Sequence, residues 1–332
     1  MKAETLSQYF DALPGLHIAV VGDLMIDRYV SGRVDRISPE APVPILLHQT
    51  TEDRLGGAAN VGMNIQALGA KCTLVAVCGS DNEGMILKQK LSDASLDPSG
   101  VFEDTDRRTT LKTRVLDGIH QLLRIDQEDI EDLSAAMNNR LCNFLEDLCQ
   151  QDAPDWIILQ DYNKGVLNDS LIKDVLAIAA KYQIPVSVDP KQKNFLAYQG
   201  ATTFKPNLKE IREQLPFEVE PILEDLDKAA KFLKQKLNAK NIAITLSEKG
   251  IFVSDERDES SLIPVRSRPI TDVCGAGDTV ISVFSLAQAA GLSVFDAALI
   301  ANEAGGIVCG FPGVMPIDKQ LLQNELKTIF SA

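Results

Sequence analysis

The sequence predicts an α/β fold: a three-layer sandwich with a mainly parallel central sheet and a small β-sheet lid. Short β-branched runs alternate with longer amphipathic segments, which is typical of a parallel sheet covered by helices. Two segments, residues 29–54 and 108–126, interrupt this alternation and supply the predicted lid. With 332 residues, 45% of them hydrophobic, the chain can bury a sizeable core without disulfides. We expect a single domain over residues 1–332.

The sheet and its helices are predicted from two different periodicities. Short β-branched runs bounded by turn residues indicate buried strands, whereas apolar residues recurring every three or four positions indicate helices. The predicted strands are 17–21, 73–78, 156–160, 186–188, 242–246 and 251–253. The predicted helices are 58–68, 85–94, 135–150, 171–182, 225–237, 277–290, 294–306 and 319–330.

The lid is predicted from two strand-rich segments that lack a helix between their strands. The first contains the run PVPILLHQT, and the second has two strand-like arms around Asp117-Gly118. An Asp-Gly pair between such arms favours a type I′ hairpin, because both central residues of that turn need positive φ. A plain surface hairpin explains the second segment equally well.

Charge and cysteine content exclude several classes of protein. The chain has 33 Lys+Arg against 47 Asp+Glu, a net charge of −14. This balance argues against a nucleic acid or a membrane as partner, because both are polyanions. Neither a signal peptide nor an 18-residue apolar run is recognisable, so we expect a cytoplasmic protein. Six dispersed cysteines without a C-x-x-C spacing favour reduced thiols over disulfides or zinc ligands.

The most specific candidate site is the segment DVCGAGDTV at residues 272–280, which runs directly into an apolar helix. A Gly-x-Gly turn before a helix directs several backbone N–H groups at one point, where the helix dipole adds positive charge. Such a point suits a phosphate or a developing oxyanion. Asp278 would lie beside it, in the first helical turn. A helix-capping Asp after a simple tight turn is the alternative.

A second glycine-rich segment, RLGGAANVGMNIQALG at residues 54–69, enters a helix of small residues. Glycines have no Cβ and let a ligand approach the backbone closely. Asn60 offers both a donor and an acceptor to a hydroxyl-rich ligand. Close packing of helix against strand would also explain the small residues.

Together the two segments resemble the signature regions of the ribokinase-like (PfkB-type) sugar kinases, in the same order. The element Asn207-x-x-Glu210 lies between them, and Gly22-Asp23 followed by Asp27 resembles the start of the family's sugar site. The resemblance covers essentially the whole chain. Within the family, the stretches GDLMIDRY, RISPEAPVP, DYNKG and VDPK are most similar to those of bacterial heptose-7-phosphate kinases.

The resemblance implies a ribokinase-like fold and an ATP-dependent sugar kinase. The expected reaction phosphorylates the anomeric hydroxyl of D-glycero-D-manno-heptose 7-phosphate to the 1,7-bisphosphate, a precursor of ADP-heptose for lipopolysaccharide. Asp278 would be the general base, and the amides of Gly275, Ala276 and Gly277 would form the anion hole. Another acceptor, such as fructose or ribose, and a non-catalytic sugar or nucleotide sensor on the same fold remain alternatives.

The resemblance also implies ligand contacts, a metal and a partner. The expected acceptor contacts are Asp23, Asp27, Gly56, Gly57, Asn60, Arg114 and Lys191. The expected nucleotide contacts are Asn207, Thr245, Ser247, Gly250 and Asn302. Asn207 and Glu210 would hold Mg²⁺ through water, although Asn207-x-x-Glu210 is equally a capping box. A homodimer formed through the lid is expected as well.

The sequence lacks the motifs of three other activities. The fused nucleotidyltransferase found in many heptose kinases has a His-x-Gly-His motif, which does not occur here, so ADP transfer is not expected from this sequence. No G-x-x-x-x-G-K-[ST] occurs, which excludes a P-loop kinase. A dinucleotide-dependent dehydrogenase is disfavoured because no G-x-G-x-x-G follows the first strand.

Overall fold

The computed structural model describes residues 3–118 and 120–330, which form two sheets and ten α-helices. The strands are β1 His17–Gly22, β2 Leu24–Ile37, β3 Pro44–Gly57, β4 Lys71–Gly79, β5 Val101–Asp104, β6 Leu111–Asp117, β7 His120–Gln127, β8 Trp156–Gln160, β9 Val186–Asp189, β10 Thr203–Phe204, β11 Asn241–Thr245, β12 Ile251–Ser254 and β13 Ser260–Ile263. The helices are α1 Ala3–Ala12, α2 Ala58–Ala67, α3 Asn82–Asp93, α4 Ala135–Gln151, α5 Asp169–Tyr182, α6 Leu208–Gln214, α7 Leu223–Leu237, α8 Ala276–Ala289, α9 Val294–Val308 and α10 Lys319–Phe330.

The larger sheet has nine strands in the order β13-β12-β11-β10-β9-β8-β1-β4-β5. Its strands pair in parallel, except that β12, near one edge, runs antiparallel to both of its neighbours, β11 and β13. Every residue of β1 is buried, and alternate side chains belong to different cores. Ile18 and Val20 pack with α2, α8 and α9, whereas Ala19 and Val21 pack with α4, α5 and α7. The predicted three-layer sandwich with a mainly parallel sheet is therefore confirmed.

All six predicted strands and all eight predicted helices are present, with ends that differ by a few residues. Sequence patterns missed the strands β5, β10 and β13 and the helices α1 and α6. β10 has only two residues, too few to show a periodicity. β13 begins with two serines and lies at the sheet edge, where a polar composition is normal.

The smaller sheet is the predicted lid, with the strand order β3-β2-β6-β7. β2 pairs antiparallel with β3 and parallel with β6. The predicted hairpin joins β6 to β7, but the expected turn position was wrong. Asp117 is not a central turn residue, because it still pairs with His120 as part of the ladder. Gly118 supplies the positive φ, +58°, and position 119 lies outside the described residues.

All six cysteines are free thiols that are buried or half-buried. Across residues 3–118 and 120–330, no group of three or more His, Cys, Asp or Glu side chains is placed to hold a metal ion. Among the helices of these same residues, none is long and apolar enough to cross a membrane.

Candidate active site

Asp278 lies in the first turn of α8 and is almost completely buried. Three side chains donate hydrogen bonds to its carboxylate. Asn60 of α2 donates to Oδ2 at 2.8 Å, and Gln160 at the end of β8 donates to Oδ1 at 3.1 Å. The hydroxyl of Tyr162, just beyond β8, donates to Oδ1 at 2.7 Å. The predicted base thus lies where the carboxyl end of β8 meets the N-termini of α2 and α8, each of which follows a glycine.

The N-terminus of α8 provides unpaired amides beside this carboxylate. Gly275 caps the helix in the left-handed conformation, with φ +78°. Within the described part of the chain, the amides of Gly275 and Gly277 have no hydrogen-bond acceptor, as expected for first-turn N–H groups. Ala276 differs, because its N–H donates to the carbonyl of Val273 at 3.3 Å. Two of the three expected anion-hole amides are therefore available to a ligand.

Burial raises the pKa of Asp278 to about 6, although the hydrogen bonds from Tyr162 and Asn60 favour its ionised form. Asp189, at the end of β9, adds a second negative charge and raises this pKa further, while Lys191 opposes that effect. A carboxylate with a pKa near 6 is ionised at neutral pH and is a stronger proton acceptor than an ordinary Asp.

A buried cation lies next to the same helix end. Lys205, directly after β10, is 3% exposed, and its Nζ lies 3.1 Å from Oδ2 of Asp189. A Cβ placed on Gly277 would be 4.0 Å from that Nζ, so the ammonium group borders the free amides. Burial alone would raise the pKa of Asp189, but Lys191 and Lys205 hold it below its ordinary value. The start of α8 is therefore bordered by a buried ion pair, with Asp189 Oδ2 and Lys205 Nζ at similar distances from a Cβ placed on Gly277.

Asn207 and Glu210 form the capping box of α6, with both reciprocal hydrogen bonds present. Asn207 Oδ1 accepts from the N–H of Glu210 at 2.9 Å, and Glu210 Oε2 accepts from the N–H of Asn207 at 2.8 Å. The other carboxylate oxygen, Oε1, accepts from Lys191 Nζ at 2.8 Å. The capping alternative is therefore realised, and beside the site the buried Glu210 carboxylate pairs with the partly exposed ammonium group of Lys191.

Two lid residues that are predicted to contact the acceptor, Asp27 and Arg114, form an ion pair, and the guanidinium group also lies on an aromatic ring. Arg114 on β6 donates from Nη1 to Oδ1 of the buried Asp27 on β2. The guanidinium groups of Arg54 and Arg114 lie 4.9 and 5.4 Å from the ring centroid of Tyr29. A Cβ on Gly56 would be 2.3 Å from Oδ2 of Asp27, so the glycine is required for this close approach.

Two predicted acceptor residues have other partners. The carboxylate of Asp23 accepts backbone N–H bonds from Tyr162, Lys164 and Val166, so it fixes the loop after β8. Lys191 contacts Asp189 and Glu210, as well as the face of Tyr162, rather than the lid. The structure thus groups Lys191 with the α6 capping box. Gly57, at φ +62°, lies against the carbonyl of Asp23.

The predicted nucleotide-side residues are brought near one another. Asn207 and Thr245 form a parallel β-bridge. Ser247, at φ +54°, and Gly250, at φ +98°, shape the turn between β11 and β12. Gly250 packs against Pro264, whose carbonyl accepts a 3.0 Å bond from Asn302 on α9. These contacts link the carboxyl end of β11 to α6 on one side and to α9 on the other.

Four side chains at this site were not predicted: Gln160, Tyr162, Asp189 and Lys205. Each lies at or just beyond the carboxyl end of a parallel strand, where ligands bind in open α/β sheets. The stretches DYNKG, VDPK and KPNLKE contain three of them. A polar residue directly after a predicted strand was a signal only for Asp189, because Tyr162 lies two positions beyond its strand and Lys205 follows β10, which the sequence patterns missed.

Comparison with known proteins decides the family. Residues 16–320 match the model of the pfkB family of carbohydrate kinases. The chain belongs to this family. Its relatives include the bifunctional protein HldE of Methylobacillus flagellatus, 41% identical over 99% of this chain and 67% of the relative. Another is the bifunctional protein HldE of Magnetococcus marinus, 40% identical over 94% of this chain and 64% of the relative. This pfkB-family chain thus spans about two thirds of the length of these relatives.

Solved structures agree on the fold of this pfkB-family chain. Arabidopsis thaliana ribokinase complexed with ribose and ATP superposes with a TM-score of 0.72 at 18% identity, over 93% of this chain and 98% of the ribokinase. Phosphofructokinase-2 from Escherichia coli in complex with potassium gives a TM-score of 0.79 at 19% identity, over 96% and 99% of the two chains. The ribokinase-like fold that the sequence predicted is confirmed.

Proposed function

We propose that this chain transfers the γ-phosphoryl group of ATP to the anomeric hydroxyl of D-glycero-D-manno-heptose 7-phosphate. The product would be the 1,7-bisphosphate, which serves the synthesis of ADP-heptose for lipopolysaccharide. The observation that carries the proposal is the buried carboxylate of Asp278 beside the unpaired amides of Gly275 and Gly277. The relatives named HldE and the stretches similar to heptose-7-phosphate kinases support this acceptor.

The geometry supports phosphoryl transfer because that reaction mainly requires positioning and charge stabilisation. Asp278 accepts the proton of the attacking hydroxyl, and the amides of Gly275 and Gly277 donate to the oxygens of the transferring group. Lys205 adds a buried positive charge beside them. These donors are fixed before substrate arrives, so little reorganisation is needed as charge develops.

We also propose that Mg²⁺ accompanies ATP and is held near Asn207 and Glu210 through water. Mg²⁺ keeps several waters and takes one or two carboxylates together with phosphate oxygens, so one protein carboxylate at this position fits its chemistry. Both oxygens of Glu210 already accept protein hydrogen bonds, which favours contact through water. When bound, the ion would neutralise charge on the nucleotide phosphates.

Arg114 is proposed to bind the phosphate that the acceptor already carries. Only its Nη1 donates to a described residue, so the other N–H groups can form a bidentate pair with phosphate. Asp27 and the ring of Tyr29 fix the orientation of the guanidinium group. Arg114 is only 12% exposed, which strengthens its interaction with an anion compared with a surface arginine.

An acceptor panel tests this function. ADP formation is measured with heptose 7-phosphate, the unphosphorylated heptose, fructose, fructose 6-phosphate and ribose. We expect the highest kcat/KM for heptose 7-phosphate, and a value about 10²-fold lower without its phosphate, the loss that two charge-assisted hydrogen bonds predict. Turnover only with unphosphorylated sugars would contradict the acceptor. Tight binding of ATP and sugar without transfer to any acceptor would indicate a sensor.

We propose that the lid also mediates a homodimer. β7 is exposed along its whole length at the edge of the lid sheet. Leu123 and Ile125 are 56% and 47% exposed and project from the same face, since they are two positions apart on a strand. An exposed strand with this apolar face is normally covered, and a second copy of the lid has a matching surface.

A charge on this face should separate the two copies. We expect the unmodified chain to have the mass of a dimer in light scattering at micromolar concentration, and Leu123→Lys to have the mass of a monomer. The matched control is Leu262→Lys on β13, a partly exposed leucine at the far edge of the other sheet, which should remain dimeric. A monomeric unmodified chain would refute the dimer.

A further inference from the structure

The hydroxyl of Tyr162 has no role in the mechanism proposed above, yet it forms the shortest of the three hydrogen bonds to Asp278. Each carboxylate oxygen offers two acceptor positions. Oδ1 receives both Gln160 Nε2, at 3.1 Å, and Tyr162 OH, at 2.7 Å. Oδ2 receives only Asn60 Nδ2, at 2.8 Å. Among the described residues, therefore, Oδ1 has its full set of donors and Oδ2 keeps one acceptor position.

The position of Tyr162 is fixed independently of Asp278. Its backbone N–H donates to the buried carboxylate of Asp23 at 2.7 Å, and the N–H groups of Lys164 and Val166 donate to the same carboxylate. On the ring face, the ammonium group of Lys191 lies 5.5 Å from the ring centroid. These contacts hold the phenol in place without help from its hydroxyl.

We propose that Tyr162 is a positioning residue that keeps Oδ1 of Asp278 saturated through the reaction, so that Oδ2 is the atom that takes the acceptor's proton. The inference rests on the proposed function, because it assigns the basic atom of that same site. The proton passes from the attacking hydroxyl to Oδ2 as the new oxygen–phosphorus bond forms and the bond to ADP breaks. Tyr162 keeps its own proton throughout.

The charges around Asp278 show what loss of this hydrogen bond would do. Asp189 faces it from β9 and Lys191 from the segment after β9, while Lys205 and Glu210 pair with those two groups. On the lid side, Asp27 faces Tyr162. Because burial already raises the pKa of Asp278 to about 6, loss of a donor to its ionised form should raise that pKa further.

The test compares Tyr162→Phe with the unmodified chain by measuring kcat/KM for heptose 7-phosphate from pH 5 to 9. The base must be ionised, so activity of the unmodified chain should fall as the pH drops through about 6. In Tyr162→Phe we expect this acidic limb to lie about one pH unit higher, with activity recovering above pH 8. The substrate phosphate also titrates near pH 6, but equally for both proteins.

Tyr198→Phe is the matched control. The Tyr198 hydroxyl donates at 2.7 Å to Oδ2 of Asp161, a buried carboxylate that does not contact Asp278, so its removal should leave the acidic limb unchanged. The thermal unfolding midpoint and ATP affinity confirm that both variants are folded. If Tyr162→Phe does not fold, 3-fluorotyrosine placed at position 162 tests the same bond. This more acidic phenol should move the limb to lower pH.

The possible failures are distinguishable. A folded Tyr162→Phe whose acidic limb coincides with that of the unmodified chain overturns the positioning role, and so does a folded variant that is inactive at every pH. An unmoved limb with fluorotyrosine overturns it too. If the unmodified chain transfers phosphate to no acceptor in the panel, the proposed function fails first, and with it this inference.

Discussion

Replacing Asp278 with Asn should lower kcat for phosphoryl transfer by about 10²- to 10⁴-fold, the contribution typical of a positioned general base. Asn is nearly isosteric, and its single side-chain oxygen can keep the hydrogen bonds from Gln160 and Tyr162 at the position of Oδ1. Its NH2 group then replaces Oδ2, so it loses the bond from Asn60 and cannot accept the hydroxyl proton. The nucleotide-side residues are not altered, so ATP affinity should change little. Steady-state kinetics and calorimetric titration with ATP measure the two quantities.

The matched control for this substitution is Asp161→Asn. Asp161 is also buried, and burial likewise raises its pKa to about 6, but its carboxylate accepts bonds from Tyr198 and the N–H of Asn163. Asp161→Asn therefore measures how turnover responds to the loss of a buried negative charge while Asp278, the proposed base, is kept. We expect its kcat to stay within about tenfold of the unmodified chain, well above the Asp278→Asn range. A folded Asp278→Asn that keeps a tenth or more of the original turnover would exclude Asp278 as the base.

Replacing Gly275 with Ala should lower kcat by about 10²-fold, the cost typical of a 1 Å displacement of a reacting group. The new Cβ would lie 2.7 Å from Nδ2 of Asn60, which would have to move and loosen its bond to Asp278. The position also has φ +78°, where a residue with a Cβ is strained by roughly 1–2 kcal/mol. Turnover and thermal unfolding are measured together.

Gly291→Ala separates these two effects. Gly291 follows the other end of α8 with φ +84°, but a Cβ there meets no atom within 4 Å. Gly291→Ala should therefore show the effect of backbone strain alone, which is a lowered unfolding midpoint with a nearly unchanged kcat. If Gly275→Ala and Gly291→Ala lose the same stability and neither loses turnover, Asn60 does not position the base.

The parts of the site that could be predicted are contiguous in sequence. The glycines before α8 and those before α2 specify helix starts, and Asp278 lies within the first of these motifs, beside the free amides of Gly275 and Gly277. Each glycine motif determines the start of its own helix, so these helix starts could be predicted without knowledge of the tertiary structure. The two helix starts meet through Asn60, which the resemblance assigned to the acceptor; its contact with Asp278 is one that no single segment could show.

The remaining contacts depend on which strands become neighbours. Gln160 bonds to Asp189 and Asp278 because β8 and β9 are adjacent in the sheet. Lys191 was assigned to the acceptor because it lies among the heptose-kinase-like stretches, but α6 brings Glu210 to its ammonium group. Strand order and the partner of a long, flexible side chain are set by tertiary packing, which periodicity does not report.

Product analysis tests most directly whether the carboxylate of Asp278 and the amides of Gly275 and Gly277 act on one reacting centre. After incubation with ATP, Mg²⁺ and heptose 7-phosphate, phosphorus NMR should show one new phosphate coupled to the anomeric proton, formed in equal amount with ADP. The same signal should be nearly absent with Asp278→Asn. ADP formed together with free phosphate alone, or a new phosphate on any other hydroxyl, would contradict the account.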